Sequence, residues 1–180
     1  IVSVGTGYPI STSFTPSMEF WYNKNTESAY PYDTEKAKEL LKAAGYENGF
    51  EMEITVPSNY QIHVNTAQVI ASQLEEVGIT AVIKQIEWGQ WTSEVYTDAN
   101  YHSTITGLGG KIEPHDIIVR FEADYYRNFF KFSNEEYDTL VTEGILESDT
   151  NKRKILYDRA QQIITDEAAA VFIQDPGRDM

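Results

Sequence analysis

The stretch FEMEITVPSNYQIHVNTAQVIASQLEEVGITAVIKQI, residues 50–86, decides the fold class of this chain. Apolar and polar residues alternate over residues 50–56, which is the pattern of a half-buried strand. Residues 60–77 then place apolar side chains on one helical stripe that stops at Gly78, and residues 79–86 read as a second, more fully buried strand. A strand, a helix and a strand joined by short connections predict a βαβ unit with parallel strands.

Segments on either side of this unit carry further helix and strand signals. Asp33 is a natural N-cap, an apolar stripe with helical spacing follows it, and Gly45 stands where a left-handed C-terminal residue is expected. A short helix is expected near residues 90–96 and a third strand over residues 101–106. The sequence therefore predicts an α/β fold with a mixed, mostly parallel sheet flanked by helices.

The last part of the chain is predicted to be mainly helical. Ser133 and Glu136 have the spacing of a capping box ahead of an apolar stripe. Asp149 or Thr150 opens a long helix, and the chain closes on an apolar strand over residues 169–173.

The opening segment, residues 1 to about 30, is rich in Gly, Ser, Thr and Pro and has neither helical nor strand period. A structureless stretch of this length is unusual in a free-standing domain, so we expect it to pack against sequence outside this chain. The 180 residues can build one full-sized core, which makes the chain one domain or a piece of a larger protein.

Composition excludes several classes of function. Against 28 Asp and Glu there are 14 Lys and Arg, a net charge of −14, which disfavours nucleic acid and anionic membranes as partners. The chain has no Cys, which excludes disulfides, thiol catalysis and Cys-ligated zinc. No apolar run approaches the length of a membrane span, and the start lacks the pattern of a signal peptide, so the protein is cytosolic or its N-terminus has been removed.

Motifs for cofactor or metal binding are weak. Gly107-Leu108-Gly109 begins a dinucleotide fingerprint, but Ile112 stands where the third glycine would fall, which favours a tight turn. Glu113, His115 and Asp116 come from one short loop and would struggle to converge around one ion. We therefore expect no cofactor and no metal. The abundant carboxylates are compatible with a catalytic acid/base pair, but the sequence does not indicate which two of them would form it.

Aromatic residues are the more informative candidates. Trp88 and Trp91 flank a strand-to-helix junction, and the run that contains Tyr125 and Arg127 falls in an irregular region. Aromatic surfaces with a few polar groups are typical of a small-molecule or peptide cleft. Ordinary core packing remains the alternative for each of them.

Several separate segments together resemble one family, the extracytoplasmic solute-binding proteins of ABC importers, family 5, which carry oligopeptides, dipeptides and, in some members, nickel. The segments that carry the resemblance are YDTEKAKELLKAAGY at 32–46, GF at 49–50, QLEEVGI at 73–79, EW at 87–88, EP at 113–114, SNEEYD at 133–138, NKR at 151–153, LY at 156–157, AQ at 160–161 and DEA at 166–168. Their order and spacing match over nearly the whole chain.

The resemblance implies a periplasmic-binding-protein-like (type II) fold in which the ligand lies between two lobes. It assigns residues 1–180 to the second lobe alone, with 1–30 as an inter-lobe segment, 31–168 as the α/β core and 169–180 as a return strand toward the missing first lobe.

The resemblance also implies that ligand contacts come from the loop after the strand at 101–106. The loop residues are Gly107, Leu108, Gly109, Gly110, Lys111, Glu113 and His115. Peptide-binding members carry a Gly-Trp pair and then an Asp for the peptide amino group. Gly107 matches that pattern, but Leu108 replaces the Trp, and Lys111 or a neighbour stands near the Asp position. The stretch from Glu113 to His115 is similar to that of nickel-type members.

The function implied is a receptor that captures a peptide-like or other small solute and delivers it to an ABC permease without catalysis. Its place would be extracytoplasmic, in the periplasm or as a lipoprotein on the outer face of the membrane. Two alternatives stay open, the sensor domain of a transcription regulator and a carboxylate-dependent hydrolase. We further expect residues 107–116 to face the ligand, since ligands of α/β sheets sit beyond strand ends.

Overall fold

The computed structural model describes residues 7–175, which form two compact units. The parallel-sheet unit contains residues 31–108, and the helical unit contains residues 7–30 and 109–175. Residues 1–6 and 176–180, the outer ends of the expected inter-lobe and return segments, lie outside the described residues. The extent of a single lobe over 1–180 stays a prediction.

The helices and strands are named here in chain order. The strands are β1 (Tyr8–Pro9), β2 (Phe50–Pro57), β3 (Ile79–Ile86), β4 (Ser103–Thr104) and β5 (Gln174–Asp175). The α-helices are α1 (Thr34–Ala43), α2 (Gln61–Glu75), α3 (Trp88–Trp91), α4 (His115–Ile118), α5 (Glu135–Leu146) and α6 (Thr150–Asp166), with a π-helical turn over Thr92–Thr97 and 3₁₀ turns at Pro16–Met18, Lys24–Thr26 and Val119–Phe121. Within residues 7–175, no helix combines the length and apolar character needed to cross a bilayer.

The parallel-sheet unit is built around the predicted βαβ unit, which is confirmed. β2 pairs in parallel with β3 from Phe50 opposite Ile79 to Pro57 opposite Ile86, and β4 pairs in parallel with the other edge of β2. The apolar residues of α2 and β2 meet in a small core that contains Ile54, Val56, Val64 and Ala67.

Two strand predictions in this unit need correction. We expected β3 to be more fully buried than β2, but residues of β3 alternate in exposure and Val82 is 46% exposed, since α2 covers one face. The third strand is only Ser103–Thr104 rather than 101–106, because its ladder with β2 stops after Ile54 and Thr55.

Local signals set the ends of the elements in this unit. The Asp33 side chain accepts a hydrogen bond from the Lys36 backbone N–H, as expected for the N-cap of α1. Gly49 has a φ of +71°, and a Cβ there would lie 1.7 Å from the carbonyl oxygen of Gly78. The turns before β2 and β3 therefore approach each other so closely that only glycine fits at position 49.

The helical unit packs around aromatic side chains. Tyr137 of α5 and Tyr157 of α6 are fully buried beside Phe121. Phe14 and Tyr22 of the opening segment lie in this same core, so this part of the segment packs within the chain, whereas we expected the segment to pack against sequence outside it. The core that holds these two rings also contains side chains of α4, α5 and α6, such as Ile118, Tyr137 and Ile164.

Two boundaries in the helical unit differ from the sequence prediction. The N-cap of α5 is Asn134, whose side chain accepts from the Tyr137 backbone N–H, so α5 does not begin with the Ser133 capping box; Asn is as good a cap as Ser. Among the described residues, the final strand is Gln174–Asp175 instead of 169–173, because β1 pairs with these two residues. Of the two starts predicted for α6, Asp149 or Thr150, the structure has Asp149 as the N-cap.

Candidate functional site

Three strands of the parallel-sheet unit end at one edge of the sheet. Because β2, β3 and β4 are parallel, their carboxyl ends at Pro57, Ile86 and Thr104 lie on the same side. Ligands of parallel α/β sheets bind beyond this edge, where the loops after the strands meet. The residues that follow these three ends are therefore the first candidates for a binding surface.

Four aromatic side chains form a continuous group at this edge, which we call the carboxyl-edge cluster: Tyr60, His63, Trp88 and Trp91. Tyr60 stacks on His63 with ring centroids 5.2 Å apart and meets Trp88 edge-on at 5.2 Å. Trp88 stacks on Trp91 at 5.2 Å with an angle of 12° between the rings. Each ring thus supports the next, which gives the cluster a defined shape before any ligand arrives.

The two tryptophans have different environments. The carboxylate of Glu87 accepts hydrogen bonds from the backbone N–H groups of Gly89 and Gln90 and so starts α3 directly after β3. Trp91 is 3% exposed, and its Nε1–H donates to Thr104 Oγ1 at 3.0 Å. Trp88 is 40% exposed above it. Trp91 is therefore the floor of the cluster, and Trp88 presents its ring to solvent.

His63 is a member of the cluster that sequence reasoning did not select. Its Nδ1 is buried and has no hydrogen-bond partner among the described residues, and burial lowers the pKa of the imidazole. A Cβ on Gly107 would lie 3.7 Å from His63 Nε2, so the absence of a side chain at position 107 leaves space next to this nitrogen. The available sequence signal was its position one helical turn after Tyr60, just beyond the end of β2.

The predicted ligand residues divide between the two units. Trp88, Trp91, Gly107 and Leu108 belong to the parallel-sheet unit, where Leu108 is 42% exposed. The others belong to the helical unit: Gly109, Gly110, Lys111, Glu113, His115, Tyr125 and Arg127. The ligand contacts assigned to all of these residues stay predictions.

In the helical unit, Glu113 and His115 join a network centred on Arg153. Arg153 Nη2 donates to Glu113 Oε1 at 2.5 Å and to the Tyr157 hydroxyl at 3.1 Å. The same hydroxyl lies 3.2 Å from His115 Nδ1. Burial, followed by the charge of Arg153, lowers the pKa of His115. These polar atoms already have partners within the unit.

Tyr125 and Arg127 flank a third aromatic residue, Tyr126. The Arg127 guanidinium lies 4.8 Å from the centre of the Tyr126 ring, and the rings of Tyr125 and Tyr126 are 4.9 Å apart. Burial, with a smaller contribution from Tyr126, raises the pKa of Tyr125. Because Tyr126 is 77% exposed, this group is a surface feature of the helical unit.

The described residues of the two units contain no evident metal site. Over residues 7–175, no group of three His, Asp or Glu side chains is close enough together to hold an ion.

Comparison with known proteins decides the family. A model described as "Bacterial extracellular solute-binding proteins, family 5 Middle" matches residues 1–124. The chain belongs to this family. A dipeptide-binding protein of Escherichia coli K12 is 29% identical over 178 residues, which cover 94% of this chain and 33% of that protein. The glutathione-binding protein GsiB of Shigella flexneri is 27% identical over 93% of this chain and 34% of its own length.

Solved structures agree with this assignment. The periplasmic binding protein DppA of Helicobacter pylori, in complex with the peptide STSA, superimposes with a TM-score of 0.84 at 28% identity, over 95% of this chain and 34% of that one. A dipeptide-binding protein from Pseudoalteromonas in complex with Met-Leu gives 0.85 at 25% identity, over 96% and 35%. The predicted α/β fold class of type II periplasmic binding proteins is confirmed. This family-5 chain spans about a third of the length of the relatives that it matches.

Proposed function

We propose that this family-5 chain is part of the ligand-binding portion of an ABC-importer solute-binding protein, which captures a peptide-like or other small solute and delivers it to a membrane permease. The carboxyl-edge cluster is the observation that carries this proposal. It combines exposed aromatic rings with an imidazole beyond the ends of three parallel strands, and such surfaces suit a ligand with both apolar and polar groups.

Peptide-like ligands are favoured by the relatives. Two of them are named for dipeptide and glutathione binding, and two similar structures hold the peptides STSA and Met-Leu. A third similar structure, at 26% identity, holds agropinic acid. The proposed ligands therefore include other small acids.

The first lobe of the same protein and the ABC permease are the proposed partners. The family is extracellular by description, so we place the protein outside the cytoplasm, in the periplasm or as a lipoprotein on the outer face of the membrane. We propose that it performs no catalysis, because a receptor of this kind releases its solute unchanged.

Calorimetric titration of the full-length protein with Met-Leu, STSA and glutathione tests the proposal. Binding of at least one of them near 1 μM corresponds to about −8 kcal/mol, and a chain that keeps half of this energy would bind at about 1 mM. We therefore expect micromolar binding by the full-length protein and millimolar binding by residues 1–180. Micromolar binding by the 180-residue chain would contradict the division of the site between two lobes, and no binding to any ligand by the full-length protein would contradict the proposed function.

Lys111 is the residue that should give the binding site a charge preference. It is exposed and stands near the position where peptide-binding members carry an Asp, so we propose that it favours an anionic group of the ligand over an ammonium group. Lys111→Asp in the full-length protein should shift preference from acidic toward amino-terminal groups. Unchanged ratios of affinity for acetylated and free dipeptides would contradict this role.

A further inference from the structure

The segment 109–113, which we call the glycine loop, is held at both ends by arginine side chains of its own unit. Arg120 Nη2 donates to the carbonyl oxygen of Gly109 at 3.1 Å. At the other end, Arg153 Nη2 donates to the Glu113 carboxylate at 2.5 Å. Between these anchors, Ile112 is 98% exposed. The loop is therefore tethered at its ends and open in its middle.

Arg153 is a rigid anchor. Its side chain is 16% exposed, and the guanidinium lies 5.7 Å from the centre of the Trp21 ring and 5.1 Å from that of Tyr157. The Tyr157 hydroxyl accepts a further hydrogen bond from the same nitrogen that contacts Glu113. Packing between two rings and a position in the first turns of α6 restrict the rotamers of Arg153.

The loop itself has little to stabilise its conformation. Gly109 and Gly110 have no Cβ contact to make, since nothing lies within 4 Å of the place where a Cβ would be. Glycine loses more backbone conformational entropy on ordering than any other residue. An untethered loop would therefore lose this entropy when it binds a ligand. The two arginines remove much of that freedom in advance, which lowers the cost of binding.

We propose that Arg153 and Arg120 are positioning residues, which hold the glycine loop in the conformation that presents Lys111 and Ile112 to the ligand. This inference rests on the proposed function and deepens it, because it assigns Glu113 to the tether instead of to direct ligand contact. Arg153 is the dominant anchor, since its pair with Glu113 joins two charged groups and is partly buried.

Amide hydrogen exchange of the 180-residue chain tests the tether without any ligand. The exchange of the loop is read at the amides of His115 and Asp116, which donate to the carboxylate and to the backbone carbonyl of Glu113. Arg153→Met and Glu113→Gln should speed exchange of these amides by about tenfold, the factor expected when a hydrogen bond between charged groups is lost. Arg159→Met is the matched control, because Arg159 lies on the same helix and pairs with the carboxylate of Glu136 outside the loop. It should leave exchange of the loop unchanged.

The outcomes separate a local tether from a general loss of stability. Faster exchange confined to the loop supports the proposal. Unchanged loop exchange in both Arg153→Met and Glu113→Gln overturns it, and so does exchange that rises equally in α5 and α6, which would make Arg153 merely structural. Glu113→Gln preserves the shape of a half-exposed side chain, so it remains informative if Arg153→Met fails to fold.

The link to binding is measured in the full-length protein with Met-Leu as the probe. Arg153→Lys should retain more affinity than Arg153→Met, whose dissociation constant should rise about tenfold, while Arg159→Met binds like the unaltered protein. Faster loop exchange with unchanged affinity overturns the positioning role. If the unaltered protein binds none of Met-Leu, STSA and glutathione, the proposed function fails, whereas the exchange result still decides whether the tether exists.

Discussion

Replacing Trp91 by alanine should destabilise the parallel-sheet unit far more than replacing Trp88. Trp91 is 3% exposed, lies under the stacked ring of Trp88 and donates a hydrogen bond to Thr104, whereas Trp88 is 40% exposed. The Thr104 hydroxyl in turn donates to the carbonyl oxygen of Thr55 at 2.7 Å, so the indole of Trp91 is linked to the two-residue pairing of β4 with β2.

The magnitude follows from the area that Trp91 buries. A buried tryptophan removes roughly 150–250 Å² from water, and at about 25 cal/mol per Å² this amounts to about 4–6 kcal/mol. Alanine retains a small part of this, so we expect Trp91→Ala to cost about 4 kcal/mol, within the range of about 3–5 kcal/mol measured for such substitutions. Trp88→Ala should cost about 1 kcal/mol, mostly the stacking with its neighbours.

Urea unfolding followed by far-ultraviolet circular dichroism measures both changes without depending on tryptophan emission. Trp91→Phe serves as a control that keeps most of the apolar volume and loses the hydrogen bond to Thr104, at a cost of about 1 kcal/mol. In the full-length protein, Trp88→Ala should weaken peptide binding while lowering the unfolding midpoint much less than Trp91→Ala does. A loss below about 1 kcal/mol for Trp91→Ala, or equal losses at the two positions, would show that Trp91 is not the floor of the cluster.

Three further predictions concern stability. Gly144→Ala should destabilise the protein in urea by about 2 kcal/mol despite better helix propensity, because the new Cβ would lie 2.1 Å from Cε1 of the fully buried Tyr157; a neutral result would contradict this packing. Burial lowers the pKa of His63 and of His115 below 6.5, so the unfolded chain takes up protons first. The free energy of unfolding should therefore fall as the pH drops through about 6.5, and His63→Gln should make this slope shallower in urea titrations at several pH values. Asp149→Ala should cost about 1 kcal/mol in the same assay by removing the N-cap of α6, whereas Asp149→Asn should be nearly neutral.

Much of the parallel-sheet unit was predictable because its signals are local. The alternation in β2, the apolar stripe of α2 and the glycine that follows it specify a strand, a helix and a turn from neighbouring residues alone. The Asp33 and Asp149 caps are local in the same sense, since each carboxylate contacts backbone N–H groups two or three residues ahead. Such contacts do not depend on the tertiary packing of the rest of the chain.

Short strands were harder to predict because a strand depends on its partner. Residues 169–173 are apolar, and residues 101–106 include Tyr101 and Ile105, yet β4 is Ser103–Thr104 and, among the described residues, β5 is Gln174–Asp175. Their lengths depend on where β2 and β1 present free backbone groups, and that information lies elsewhere in the chain.

The candidate site shows the same division. The sequence marked Trp88 and Trp91 as a pair but did not distinguish the exposed ring from the buried one, because the distinction depends on Thr104 beneath Trp91. His63 was not among the predicted ligand residues, although the fold stacks it on Tyr60 and brings Gly107 next to it. These contacts join segments after three different strands.

The sequence by itself thus determined the α/β class, the parallel βαβ unit, the main helices and the resemblance to family-5 solute-binding proteins. Only the tertiary structure decided which aromatic ring faces solvent, that Phe14 and Tyr22 belong to the helical core, and that Glu113 pairs with Arg153 across 40 residues. The physical reason is the range of the interactions: periodicity and capping act over a few residues, whereas burial and ion pairing depend on which distant segments the fold brings together.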